Sequence, residues 1–232
     1  MQHKLSIVIP VYNEVGTLEE VLRQVQAVDI GIEKEIVLVD DCSTDGAREL
    51  LREIESSSDS PIRAFYHDVN YGKGAALRTG FQHVEGDITL IQDADLEYNP
   101  QDYPELIQPI LDGVADAVYG SRFQTGRGHA LLSSYAANRF LTAFSNLCTG
   151  FKLTDMETCY KAIKSSILLD IPLRSDRFGF EPEITAKLAK RKCRICEVPV
   201  TYRGRDYHEG KKVSWKDGIA AMYHIIRFRF KD

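Results

Sequence analysis

The 232 residues carry 29 Lys/Arg against 34 Asp/Glu, a formal net charge of −5, with 44% hydrophobic and 27% charged residues. That balance excludes a disordered, collagenous or coiled-coil chain, and the length suffices to bury a core without disulfides or a structural metal. An acidic balance also argues against nucleic acid as a partner.

The first 120 residues alternate between strand and helix. Leu5 to Val11 is a short run rich in β-branched residues, and Thr17 to Val28 repeats apolar residues with a helical period. Glu35 to Asp40 reads as the next strand and Ala47 to Ile54 as a helix, broken by the polar stretch 56–61. Ile62 to His67, Asp87 to Gln92 and Ala115 to Tyr119 read as strands, with helices over Gly74 to Val84 and Tyr103 to Leu111. Strands that are apolar throughout, with helices between them, predict an α/β fold with a mainly parallel sheet covered on both faces. Ligands in such sheets bind beyond the carboxyl ends of the strands. After Gly120 the spacing predicts helices over Leu131 to Leu147 and Gly179 to Arg191, a strand over Ile195 to Tyr202, a polar loop over Gly204 to Lys212 and an end helix over Trp215 to Phe230. With no repeat and no low-complexity linker, 1–232 reads as a single domain, with an alternating strand–helix half over 1–120, a second half with a basic loop over 121–214, and an amphipathic helix over 215–232.

No apolar run reaches the ~18–20 residues that cross a bilayer, and Met1-Gln2-His3-Lys4 leads straight into a strand, so neither a transmembrane helix nor a signal peptide is expected. Five cysteines, at 42, 148, 159, 193 and 196, then read as reduced thiols; Cys193-Arg-Ile-Cys196 lacks the second pair that a zinc site needs. Charge is uneven. Lys187 to Asp232 holds 13 Lys/Arg and 5 Asp/Glu, whereas residues 1–186 hold 16 and 29. A basic tail on an acidic body suits phosphates of a nucleotide, a lipid or a membrane.

Polar loops follow the strands. Gln92-Asp93-Ala94-Asp95 ends an apolar strand, and two carboxylates at that spacing suit a Mg²⁺ that takes its other ligands from substrate phosphates. Pro10-Val-Tyr-Asn-Glu14 opens a helix, with proline expected to stop the strand; helix capping explains it equally well. Val39-Asp40-Asp41-Cys-Ser-Thr-Asp45-Gly46 and Asn70-Tyr-Gly-Lys73-Gly74 have the same two readings. Neither GxxxxGK[ST] nor GxGxxG occurs.

Together these loops resemble family 2 glycosyltransferases of GT-A fold. Tyr119-Gly-Ser-Arg122, Thr154-Asp-Met-Glu-Thr-Cys-Tyr-Lys161, Phe178-Gly-Phe-Glu-Pro-Glu183 and Glu197-Val-Pro-Val-Thr-Tyr-Arg203 extend the likeness over about residues 4–230. The pattern is most similar to the dolichol-phosphate mannose synthase-like branch with its bacterial polyprenyl-phosphate members. The resemblance implies a nucleotide-diphospho-sugar donor (GDP-mannose or a UDP-hexose), Mg²⁺ or Mn²⁺, inverting transfer and a polyprenyl-phosphate acceptor. It places Pro10, Tyr12, Glu14 and Asp40 at the base and ribose and Lys73 on the donor side. Asp93 and Asp95 fall at the ribose and metal-diphosphate site, Asp95 as the direct ligand. Arg205, Lys211 and Lys212 fall in a mobile loop that closes on the diphosphate, where Glu209-Gly-Lys-Lys departs from the branch's Gly-x-Ser-Lys. Arg122 and Arg139 fall where the acceptor phosphate is gripped, with Asp155 beside them, although Arg122 could instead pair with a carboxylate as fold support.

A phosphate acceptor is already anionic and needs no base, only cations that align it. The competing readings are a sugar-hydroxyl acceptor with Asp155 or Glu181 as base, a nucleotidyltransferase, and a non-catalytic nucleotide-sugar-binding protein. The end helix gathers Trp215, Ile219, Met222, Tyr223, Ile226 and Phe230 on one arc. That pattern suits a helix lying on a membrane surface as well as one packed on the core, so a cytoplasmic, peripheral location is expected.

Overall fold

The computed structural model describes residues 3–57, 62–124, 132–204 and 215–231. Strand β1 (Lys4–Val11), helix α1 (Val15–Ala27), β2 (Glu33–Asp40), α2 (Ala47–Ser57), β3 (Ile62–Tyr66), α3 (Lys73–Phe81) and β4 (Ile88–Ile91) form the first half. A one-turn 3-10 helix (Pro100–Asp102) leads into α4 (Tyr103–Leu111) and β5 (Ala117–Ser121). Then come α5 (Leu132–Thr149), β6 (Lys161–Lys164), α6 (Ser165–Leu169), α7 (Phe180–Lys190), β7 (Ile195–Pro199) and α8 (Trp215–Phe230).

The described strands make one seven-stranded sheet in the order β3-β2-β1-β4-β6-β5-β7. All neighbours are parallel except β6, which runs antiparallel to both β4 and β5. Leu5, Ile7, Val8 and Ile9 are buried in succession, so both faces of β1 are covered, as the unbroken apolar run predicts. The register sets Val11 against Asp40 and Asp40 against Tyr66, which brings the loops after β1, β2 and β3 together at one edge of the sheet.

Two local expectations are corrected, and one strand adds to the sequence reading. Pro10 does not stop β1: it pairs in register with Val39, and the strand runs to Val11. On the β4 side the paired register ends at Val8 and Ile91, with one further bond from Gln92 N to the Val8 carbonyl, so Pro10 lies past the paired stretch. Strand β6 lies at the end of the 154–161 motif; its four residues are too few to show a period. Helix α8 buries Ala221, Ile225 and Phe228 against the body, packed on α5 and α7. Ile219, Tyr223, Ile226 and Phe230 lie on the other side and are exposed, Phe230 by 76%. At 100° per residue these four fall within about 60° of one another, nearly opposite the buried face. Four residues of the arc read from sequence thus form the outward stripe, while Met222 packs against the core beside Ala221, Ile225 and Phe228, which that reading passed over.

Candidate active site

The loops after β1 and β2 are stitched to each other. Asn13 adopts φ 53, a left-handed conformation that asparagine tolerates. Its N–H donates to Ser43 Oγ (3.0 Å) while its Oδ1 accepts from Thr44 N (2.8 Å). Asp45 accepts from Val15 N and Ala47 N, so one carboxylate holds the start of both α1 and α2. Tyr12 is exposed beside this seam, and Glu14 caps α1 through its carbonyl, with its carboxylate accepting from Thr17 Oγ1. Asp40 is fully buried; it accepts from Ser43 N and from Arg48 Nε at 2.6 Å. Its visible work is to hold its own loop and Arg48.

Asp41 carries the next seam. Its carboxylate accepts from His67 Nδ1 (2.7 Å), Tyr71 N (2.9 Å) and Gly72 N (2.7 Å), fixing the 70–74 loop to the end of β2. Gly72 (φ 103) and Gly74 lie beneath the 175–177 backbone; a Cβ on Gly74 would come within 2.3 Å of the Ser175 carbonyl. Two glycines are needed there because another strand of chain crosses at contact distance, and Lys73 is aimed between them. The Asp176 carbonyl accepts from Ala75 N, which satisfies part of the amino end of α3.

Lys73 Nζ reaches Asp93 Oδ1 at 2.8 Å and Glu181 Oε1 at 3.4 Å. Burial works against its charge, but Asp93, Cys159 and Glu181 outweigh it and hold the ammonium well above its ordinary range. Asp93 follows β4 and is part-exposed, while Asp95 is nearly buried and accepts from Glu97 N. Beneath them Gln92 accepts from Tyr103 and Tyr160 hydroxyls, both at 2.7 Å, and donates to the Asp93 carbonyl. Thr17 Oγ1 donates to the Ala94 carbonyl, so the carboxylate loop is fastened to α1 as well. Among the described residues no group of three or more His, Cys, Asp or Glu converges on a metal position. The pair Asp93 and Asp95 suits a cation that completes its oxygen shell with phosphates and water rather than a closed protein cage.

On the other side, Arg122 follows β5 and grips Asp155 with two hydrogen bonds, Nε to Oδ2 at 2.6 Å and Nη2 to Oδ1 at 2.7 Å. Tyr202 lies under the guanidinium at 5.1 Å. The fold-support alternative is therefore met in the geometry: Asp155 is fully buried and engaged with arginine, an arrangement unsuited to a general base. Arg139, exposed on α5, donates to the Thr154 carbonyl at 3.2 Å, which brings both arginines to the 154–155 segment. Glu197 on β7 fixes that segment from behind, accepting from Thr154 N and Oγ1 and from Asp155 N.

Between the two sides lie Glu157 and Glu181. Glu157 is pushed up to about 8 by burial, with Glu181 adding to the rise against Lys161 and Arg122. Lys161, fully buried and lowered by burial, donates to the Met156 and Thr158 carbonyls and lies over the Tyr119 ring. The structure thus groups Lys73, Asp93 and Asp95 on one side and Arg122, Arg139 and Asp155 on the other. Arg205, Lys211 and Lys212 lie outside the described residues. Asp41, Gln92 and Glu197 organise the site, yet the motifs held them only as neighbours of other residues. Glu157, too, had no role assigned from sequence.

The model of glycosyl transferase family 2 matches residues 6–171. The chain belongs to that family. It is 33% identical over 224 residues to the undecaprenyl-phosphate 4-deoxy-4-formamido-L-arabinose transferase of Edwardsiella ictaluri, covering 96% of this chain and 66% of the relative. The corresponding protein of Pseudomonas fluorescens is 33% identical over 232 residues, covering 97% and 64%. The chain therefore spans a little under two thirds of the length of these curated relatives. Glucosyl-3-phosphoglycerate synthase of Mycobacterium tuberculosis, solved with Mn²⁺, UDP and glucosyl-3-phosphoglycerate, superposes with a TM-score of 0.71 at 19% identity, over 99% of this chain and 81% of that one. Another structure of that synthase gives 0.75 at 21%, over 99% and 82%. The family 2 fold is GT-A, as the motifs imply.

Proposed function

We propose that this glycosyltransferase moves a sugar from a nucleotide-diphospho-sugar to a polyprenyl phosphate. The observation that carries the reading is the placing of the Asp93/Asp95 pair and the Arg122/Arg139 pair on the two sides of one buried ionic cluster. The curated relatives act on undecaprenyl phosphate by name, and the mycobacterial neighbour binds Mn²⁺ and UDP by description, which supports a lipid-phosphate acceptor and a UDP- or GDP-linked donor with Mg²⁺ or Mn²⁺.

In this reading Asp95, with Asp93, holds the divalent cation, which neutralises the charge gathering on the departing nucleoside diphosphate. Tyr12 and Glu14 flank the base and ribose, Asp40 sets the loop they stand on, and Lys73 pairs with Asp93 and orients it. Arg139 and the outward edge of Arg122 draw the acceptor phosphate to the 154–155 segment, whose backbone Glu197 immobilises. The attacking oxygen is already an anion, so no base is required. A hydroxyl acceptor would need one, and Asp155 is engaged by Arg122.

A polyprenyl phosphate lies in a bilayer. Among the described residues no helix is long and apolar enough to cross one. The exposed stripe of Ile219, Tyr223, Ile226 and Phe230, with the basic excess of residues 187–232, supports a peripheral seat on an anionic surface. The test incubates the chain with Mg²⁺ or Mn²⁺, a panel of UDP- and GDP-sugars and a short-chain polyprenyl phosphate. Glycolipid that EDTA abolishes and that Asp95→Asn fails to make is the expected result. Undiminished product from Asp95→Asn contradicts the assigned carboxylate.

A further inference from the structure

We propose that Glu181 is the residue that recognises the donor sugar, accepting hydrogen bonds from its ring hydroxyls. The inference rests on the transferase reading above. Glu181 stands in the first turn of α7 and is only 5% exposed. Oε1 faces Lys73, whereas Oε2 is buried with no hydrogen-bond partner among the described residues. A buried carboxylate oxygen left unpaired is a cost that a fold retains where a ligand completes it.

The surroundings say what that ligand offers. Lys73 joins Glu181 to Asp93 through one ammonium, so Glu181 sits a single side chain away from the expected diphosphate site. Toward the acceptor side lies Glu157, whose own Oε1 is buried and unpartnered and which feels the charges of both Glu181 and Arg122. A group between a diphosphate and an acceptor phosphate is the one being transferred. It must donate hydrogen bonds to a carboxylate and carry no positive charge of its own, because Lys73 already supplies one. Hydroxyls of a sugar ring meet both conditions. Glu183, two residues on, cannot serve: its oxygens are taken by Arg174 N, Ser175 N and Lys187.

Calorimetric titration in Mg²⁺ tests this with UDP-glucose, UDP-N-acetylglucosamine and GDP-mannose, each beside its parent UDP or GDP. For the sugar that the wild type prefers, Glu181→Ala is expected to lose affinity about ten-fold or more, the scale of a hydrogen bond to a charged group, while UDP or GDP affinity stays within about two-fold. Glu181→Gln, which keeps one acceptor oxygen, should fall between. Both variants should melt close to the wild type, since Lys73 keeps its nearer partner Asp93. Equal loss of nucleotide and nucleotide-sugar affinity, or a lower melting temperature with sugar discrimination intact, overturns the assignment and leaves the transferase reading standing. So does an unchanged nucleotide-sugar affinity with collapsed turnover, which would make Glu181 a base. Failure of the wild type to bind any of the nucleotides removes the transferase reading and this inference together.

Discussion

Asp155 is fully buried and Arg122 half-buried, and their side chains are joined by two hydrogen bonds, so removing either partner strands a charge. Asp155→Ala is expected to cost about 3–5 kcal/mol in urea unfolding, with Arg122→Ala similar and the double variant less than the sum. Loss of transfer in either single variant would then mix folding with chemistry. Arg139 separates them: it is exposed and donates to the Thr154 carbonyl, so Arg139→Ala should stay within about ±0.5 kcal/mol while glycolipid formation falls. Unchanged turnover in that variant would remove Arg139 from the acceptor site. Glu157 gives a pH signature. Its folded pKa of about 8 lies above the ordinary carboxylate value of 4.5, so the folded state holds the proton more tightly and stability drains away as pH rises from about 4.5 through 8. The melting temperature of wild type relative to Glu157→Gln should therefore fall between pH 5 and pH 8; a constant difference would contradict the burial argument. The carboxylates proposed to touch ligands were legible because they stand at strand ends in a recognisable spacing. Asp41 and Glu197 were not, since an acid that pins backbone N–H groups looks in sequence like any other acid, and its partners lie 26–43 residues away.

At the scale of elements, the long apolar runs of β1, β2 and β4 were readable because burial on both faces leaves no room for polar residues. Strand β6 was not: four residues carry no usable period, and its antiparallel direction follows from pairing between β4 and β5 rather than from its composition. Helix α8 shows a different limit. Periodicity located its apolar residues but could not say which stripe faces the body, because the helix has two. The inner stripe includes Phe228 and is braced by His224, whose ring lies within 2.8 Å of where a Cβ on Gly179 would sit, next to the start of α7. The outer stripe is exposed, with Tyr223 meeting the His224 ring edge-on. Replacing Tyr223, Ile226 and Phe230 with glutamate should abolish flotation with anionic liposomes and leave the melting temperature nearly unchanged. A large drop in melting temperature would mean that the outer stripe is also structural.

Across the whole molecule, the loops proposed to bind the donor end the parallel half of the sheet, and the residues proposed for the acceptor come from the end of β5, from α5 and from the segment before β6. One ionic cluster of Lys73, Asp93, Glu157 and Glu181 lies where the halves meet, so the transferred group would pass over fixed charges rather than over water. The proposed seat on an anionic surface draws on the basic excess of residues 187–232, so added salt should weaken the attachment. The central claim is that the acceptor arrives as an anion held by arginines and needs no base. It is tested most directly by offering the enzyme, with a divalent cation and its nucleotide sugar, a short-chain polyprenyl phosphate beside the same polyprenol without its phosphate. The account predicts glycolipid from the phosphate and none from the alcohol; equal transfer to the alcohol would contradict it.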